Sequence, residues 1–313
     1  MLPFDLLVLL VSLAVLVKSS EWVIKHIIVL TRFFHVSEMT VGFILVSIST
    51  TLPELMVSVW SSWIGKAQLS VGNALGSNVA NIGLVMGASL LFAPLVLKRK
   101  DAHWLSTLLL FVSLSPFLFF LPELSRFVGV LLIAAFLVFV FASFRRGVVL
   151  EREPEEPNLW RVMKAFLLFA FGIALVVASS HFVVQTASAI ALVLGISQLV
   201  IGATIIAVGT SLPELAVGIA AARKGKIELM VGNVLGANIL NLTLVLGASA
   251  VAKPLVLNLV EMMPLVVSVL LFTFLFWFLI QNKNKHLPVN PALLLIGAYL
   301  VFLASQVKPY IFP

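Results

Sequence analysis

Ser49-Thr50-Thr51-Leu52-Pro53-Glu54 and Gly209-Thr210-Ser211-Leu212-Pro213-Glu214 each set one carboxylate in the middle of an apolar stretch, inside nearly the same phrase. A second matching phrase follows each acid at the same interval: Gly72-Asn73-x-x-Gly76-x-Asn78-x-x-Asn81 and Gly232-Asn233-x-x-Gly236-x-Asn238-x-x-Asn241. Glu214 follows Glu54, and Asn241 follows Asn81, by 160 residues. A carboxylate is costly inside a membrane helix and marks a functional position there. Two of them, related by an internal repeat, point to a cation site built where the repeats meet.

The surrounding composition supplies the membrane. Of 313 residues, 61% are hydrophobic and only 11% are charged, and the mean hydropathy is +1.17. Soluble domains carry roughly a quarter charged residues, so the chain reads as an integral membrane protein with little outside the bilayer. The apolar runs are continuous and too long for barrel strands, which leaves helices as the spanning element. The absence of cysteine removes disulfides, thiolate metal sites and thiol nucleophiles. The net charge of +7 is read as Lys and Arg marking cytoplasmic loops, not as a nucleic-acid surface. Met1 to Ser20 has no basic leading segment and no A-x-A cleavage site, and it matches the start of the second repeat, so it is taken as a span and not a signal peptide.

Apolar runs between charges and turn residues predict ten spans, at about 3–30, 39–64, 68–93, 104–121, 125–144, 160–186, 197–222, 228–252, 258–280 and 290–306. The fold expected is all-α and integral to the membrane: ten transmembrane helices in two inverted five-helix repeats. The repeats occupy 1–144, with its motif at 42–89, and 160–313, with its motif at 202–249. A polar segment at 145–159, rich in Glu and Pro, divides them and reads as a cytoplasmic linker, since it lacks the ligand spacing of a Ca²⁺ loop. The 160-residue offset also pairs Ser19-Ser20 with Ser179-Ser180, Gly42 with Gly202, and Gly87-Ala88-Ser89 with Gly247-Ala248-Ser249.

Loop charges set the orientation. With the N-terminus outside, the inner connections hold Lys25, Arg32, Lys98, Arg99, Lys100, Arg145, Arg146, Arg152, Arg161, Lys164, Arg223, Lys224, Lys226, Lys283 and Lys285. The outer ones hold only Lys66, Arg126, Lys253 and Lys308. Basic residues favour the cytoplasmic side, so both termini are expected outside. Five spans per repeat is an odd number, so the second repeat enters from the opposite side, the arrangement associated with alternating access.

The chemistry of the phrases follows from their residue types. Pro53 lacks an N–H and crowds the carbonyl of Ser49, and Pro213 does the same to Gly209, which frees a backbone oxygen in the hydrocarbon region. Thr50 lies four residues before Glu54 and Thr51 three before it; Thr210 and Ser211 mirror them. Each half is thus expected to gather a carboxylate, hydroxyls and freed carbonyls near one point. Ca²⁺ takes about six to eight oxygen ligands, more than one half supplies, so both halves must contribute. Ser77 and Asn81 share a helix face, and Asn81 and Asn241 can offer amide oxygens to a cation or amide hydrogens to the glutamates. Asn73, Asn78, Asn233 and Asn238 read as interhelical hydrogen bonders. Two ionised glutamates make a site of charge −2, which one Ca²⁺, two Na⁺ or two protons neutralise.

These paired phrases resemble the α-repeats of the Ca²⁺/cation antiporter superfamily, specifically its Na⁺/Ca²⁺ exchanger branch of the prokaryotic type. The resemblance implies ion sites between the second, third, seventh and eighth helices, with the first and sixth sliding to give access. Carried over by motif, the metal site comprises Ser47, Thr50, Thr51, Glu54, Ser77 and Asn81 in one half and Ala207, Thr210, Ser211, Glu214, Ala237 and Asn241 in the other. Three departures stand out: Ser49 and Thr51 replace the more usual Gly and Ser, and Ala237 stands opposite Ser77 where a hydroxyl is usual. Asn at both 81 and 241, where potassium-dependent relatives often carry an Asp, argues against K⁺ co-transport. The prolines favour Na⁺ over H⁺ as the coupling ion.

The function expected is a secondary antiporter exchanging Ca²⁺ for Na⁺, not an enzyme. It is expected to need no cofactor and to work as a monomer in the lipid bilayer. An H⁺/Ca²⁺ exchanger using the same glutamates is the alternative. A Ca²⁺-permeable channel would need its acids in a continuous pore, and an intramembrane di-acid protease would need an activated water between them. An ATP-driven pump would need a nucleotide-binding loop, which the sequence lacks.

Overall fold

A computed structural model describes residues 2–31, 47–93, 100–121, 123–146, 159–281 and 290–311. Most of the linker (147–158), the start of the first motif (42–46) and several loop cations, among them Arg32, Lys98, Arg152 and Lys283, lie outside the described residues. Described residues are overwhelmingly helical, and their only β-pairing is an isolated bridge between Leu124 and Leu255.

The long helices are α1 (Leu2–Thr31), α2 (Leu52–Trp63), α3 (Ala67–Ala80), α4 (Lys100–Val112), α5 (Arg126–Arg146), α6 (Leu159–Leu194), α7 (Leu212–Arg223), α8 (Ile227–Leu240), α9 (Leu246–Ala252), α10 (Leu259–Gln281) and α11 (Pro291–Ile311). Among the described residues, two stretches are unbroken, long and apolar enough to cross a membrane: Ile227–Ala252 and Leu259–Gln281. A third, Gln198–Thr210 with Leu212–Arg223, qualifies as a bent pair.

The bend corrects the expectation of one helix running through each acidic phrase. The chain breaks at Thr51 (φ −81°, ψ 1°) and again at Ser211 (φ −82°, ψ 7°), and the second break turns the helix axis by 44°. Each following helix starts with Pro53 or Pro213 in its first turn, where a missing N–H costs nothing, and with the glutamate one residue later. Proline therefore sets the start of a helix here instead of kinking its middle. Likewise the span expected at 104–121 is not one helix: α4 ends at Val112 and a 3₁₀ segment covers Ser115–Phe120. Pro116 lacks the N–H that would bond Val112.

The 160-residue offset persists in three dimensions. Helices α2 and α7, and α3 and α8, match end for end, and α3 and α8 both run into a π turn, at Asn81–Met86 and Asn241–Val245. Gly65 (φ 83°) and Gly225 (φ 68°) make the left-handed turn closing each hairpin. Packing of α3 on the Gln198–Ile206 segment is backbone on backbone: a Cβ on Gly202 would stand 2.7 Å from the carbonyl oxygen of Leu69. Such approach lets membrane helices associate by van der Waals contact and polar bonds.

Polarity is inside out. Leu192, Val260, Phe127 and Val301 are at least 70% exposed, while Glu54, Glu214, Asn73, Asn81, Asn233 and Asn241 are wholly buried. In water this distribution would be unstable; in lipid it is what the solvent requires.

Candidate cation site

The two acids meet at the contact between the halves. Ser211 donates its hydroxyl to Oε1 of Glu54 at 3.0 Å, and Thr51 donates to Oε1 of Glu214 at 3.3 Å. Thr210 also faces Glu54, and Thr50 faces Glu214. Each half therefore supplies hydroxyls to the other half's carboxylate, which corrects the expectation that each acid gathers those of its own phrase. Exchanging each residue for its counterpart 160 positions away turns one contact into the other, so the two acidic phrases are reciprocal partners at the site.

A second reciprocal pair sits beside the first. Thr210 donates to Oδ1 of Asn73 at 3.1 Å and Thr50 to Oδ1 of Asn233 at 3.3 Å. Each threonine has one hydroxyl hydrogen, which is shared with carbonyls of its own turn: Ser47 for Thr50, and Ile206 and Ala207 for Thr210. Asn73 is held further by its amide nitrogen, which bonds the Glu54 carbonyl (3.2 Å) and Ser58 Oγ (2.9 Å). The expected interhelical role is thus met by Asn73, and by Asn78, whose amide reaches the carbonyl of Asn238 at 3.2 Å.

Other oxygens of the site have no protein partner. Oε2 of Glu54, Oε2 of Glu214, Ser47 Oγ, Ser77 Oγ and both polar atoms of Asn81 and of Asn241 are buried without a hydrogen bond. Buried polar atoms are almost always satisfied, so a concentration of orphans calls for a ligand. The amides of Asn81 and Asn241 do not bond the glutamates, which keeps their oxygens free for another role. Ala207 and Ala237 are fully buried and bring no side-chain oxygen. The Ala207 carbonyl is taken by Ser211 N (3.1 Å) and shares Thr210's hydroxyl. Among the described residues no three of His, Asp and Glu converge, so any cation held here relies on two carboxylates and neutral oxygens.

Comparison with known proteins gives the family. The family model described as sodium/calcium exchanger protein matches residues 4–145 and 164–308. The putative antiporter CaxA of Alkalimonas amylolytica is 35% identical over 258 residues, spanning 80% of this chain and 81% of its own. The sodium/calcium exchanger MaX1 of Methanosarcina acetivorans is 30% identical over 297 residues, spanning 82% and 85%. Among solved structures, the sodium-calcium exchanger NCX_Mj superposes with a TM-score of 0.69 at 29% identity, over 97% of this chain and 99% of its own. The chain belongs to the sodium/calcium exchanger protein family.

Proposed function

We propose that the protein is a secondary antiporter that exchanges Ca²⁺ for Na⁺ by alternating access at a site shared by Glu54 and Glu214. The observation that carries this reading is the reciprocal pair of bonds from Ser211 to Glu54 and from Thr51 to Glu214, with the second oxygen of each carboxylate left unpartnered. Two ionised carboxylates, with Thr50, Thr51, Thr210, Ser211, Ser47, Ser77, Asn81 and Asn241 around them, offer a hard, all-oxygen shell of charge −2. One Ca²⁺ or two Na⁺ balance that charge, so the two ions compete for the same oxygens and the protein turns over only when loaded. Ala207 and Ala237 contribute at most backbone oxygen.

The architecture that suits this cycle is ten transmembrane helices in two inverted repeats, 1–144 and 160–313, joined by a cytoplasmic linker at 145–159. Both termini lie outside, and one chain suffices for transport. The family match, and the exchanger activity carried in the names of MaX1 and NCX_Mj, support the ion pair.

Ca²⁺ uptake into proteoliposomes tests the coupling ion: one set is driven by an outward Na⁺ gradient at equal pH, the other by an outward proton gradient without Na⁺. Uptake with Na⁺ alone is the expected result. Uptake with the proton gradient alone would replace Na⁺ by H⁺ as the coupling ion, and passive Ca²⁺ flux without either gradient would make the protein a channel.

A further inference from the structure

A hydroxyl has one hydrogen and two lone pairs, so it ligates a cation only when its hydrogen is taken elsewhere. Thr50 and Thr210 are wholly buried, and each faces a carboxylate, Thr50 that of Glu214 and Thr210 that of Glu54. In an empty site an ionised carboxylate is the strongest acceptor within reach. A hydrogen given to it lies between the two oxygens that a cation would bridge. Ligation therefore needs, for each threonine, a second acceptor away from the acids.

The backbone meets this need poorly. The Ser47 carbonyl, 3.3 Å from the Thr50 hydroxyl, already accepts from Thr51 N at 2.9 Å. The Ala207 carbonyl, 3.3 Å from the Thr210 hydroxyl, already accepts from Ser211 N at 3.1 Å, which leaves Thr210 the Ile206 carbonyl at 3.0 Å. Side chains supply the rest: Asn73 Oδ1, on α3, lies 3.1 Å from Thr210, and Asn233 Oδ1, on α8, lies 3.3 Å from Thr50. The two asparagines are held differently. The amide nitrogen of Asn73 donates to the Glu54 carbonyl and to Ser58 Oγ, so both its hydrogens are used and its oxygen is fixed toward Thr210. The amide nitrogen of Asn233 is buried without a partner, and Gly218 stands where Ser58 does in the first half. Among the described residues, Thr50 is the one partner of the Asn233 side chain.

We infer that Asn73 and Asn233 are positioning residues: each takes the hydroxyl hydrogen of a threonine from the other half, and so turns that hydroxyl from a donor to the carboxylate into a ligand for the cation. Neither asparagine touches the ion. The two arms differ in stiffness. Thr210 meets an acceptor locked in place, whereas Thr50 meets one held by Thr50 itself. Thr50 therefore gives its hydrogen to Glu214 while the site is empty and to Asn233 once a cation is bound. The inference rests on the exchanger reading and deepens it, because it assigns the residues that make the neutral hydroxyls fit to bind.

A mutant cycle on Thr50 and Asn233 tests it. Thermal unfolding of the detergent-solubilised protein in choline buffer, with Ca²⁺ as the added ligand, reads binding without requiring transport. The quantity compared is the Ca²⁺ concentration that gives half of the full stabilisation. Thr50→Val, which removes the hydroxyl and keeps the shape, is expected to raise it about tenfold, the factor carried by one lost contact to a charge. Asn233→Asp retains an oxygen toward Thr50, so Thr50→Val should cost the same factor in that background. Asn233→Leu removes the acceptor, and there Thr50→Val should cost almost nothing further; Asn233→Ala serves as a second apolar background should the leucine variant not fold. A merely structural asparagine would lower the unfolding temperature without ion and leave the factor for Thr50→Val the same in every background. That result, or no change in Thr50→Val itself, would overturn the inference while leaving the exchanger reading intact. A wild-type protein that Ca²⁺ does not stabilise at all would refute the exchanger reading and the inference with it.

Discussion

Gly76→Ala is the substitution whose cost is most directly worked from the geometry. Gly76 lies on α3 one residue before Ser77, against the π turn at Gly202–Ile206. A Cβ there would stand 2.5 Å from the carbonyl oxygen of Ala203 and 2.7 Å from its carbonyl carbon, where ordinary contact begins at 3.4 Å. The Ala203 Cα is nearer still, at 2.4 Å; all three atoms are backbone, so no rotamer relieves the clash, and the two segments must part by about 1.0 Å. Overpacking of this kind costs about 1–3 kcal/mol. The same shift displaces Ser77, the next residue, and misplacement by about 1 Å costs on the order of a hundredfold in rate where geometry is tight. Gly297→Ala is the control, because nothing lies within 4 Å of its added Cβ and alanine favours a helix by about 1 kcal/mol over glycine. The assay pairs thermal unfolding in detergent with Ca²⁺ uptake into proteoliposomes. Gly76→Ala should lose thermal stability and most transport, with Gly297→Ala at or above wild type in both. Wild-type stability and flux in Gly76→Ala would refute the close-packing argument.

Other substitutions separate the roles of the polar residues. Ser211→Ala removes the 3.0 Å donor to Glu54 and should raise the Ca²⁺ half-saturation at least about tenfold, since a bond to a charged group carries about 1.5–3 kcal/mol; radioactive Ca²⁺ uptake reads it. Asn73→Ala should destabilise more than Asn233→Ala in thermal unfolding. Asn73 bonds Thr210, Ser58 and the Glu54 carbonyl, whereas the amide nitrogen of Asn233 is unpartnered because Gly218 stands where Ser58 would be. Ala237→Ser, which supplies the hydroxyl that Ser77 has in the other half, should lower the Na⁺ half-saturation of exchange, read from Na⁺ titrations of Ca²⁺ flux.

What the sequence made legible was periodic or repeated. Glu54 and Glu214 stood out because a membrane helix tolerates few acids, and the constant offset placed them as counterparts before any coordinates did. Crossed partnership was hidden: helical spacing puts Thr50 and Thr51 near Glu54, and only the packing of the halves sends Thr51 to Glu214 and Ser211 to Glu54. The break at Thr51 and Ser211 was half legible. Proline announced a disturbance, but whether it kinks a helix or begins a new one depends on where the preceding turn ends. The π turns at Asn81 and Asn241 left no mark, since one extra residue in a turn changes no local composition. The stripe of Ser58, Ser61 and Ser62 was present at helical spacing from Glu54, yet small residues in a membrane helix serve packing equally well. Only the fold shows that Ser58 and Ser62 give their hydroxyls to the carbonyls of Ser70 and Ser249.

The central claim is that both carboxylates bind the transported ions, and Na⁺-driven Ca²⁺ uptake by Glu54→Gln and by Glu214→Gln tests it most directly. Each variant keeps the shape of the side chain and its hydroxyl partner while removing one charge from the pair, and size-exclusion chromatography checks that each is folded. Loss of exchange in both folded variants is the predicted result; full exchange in either one would contradict the account.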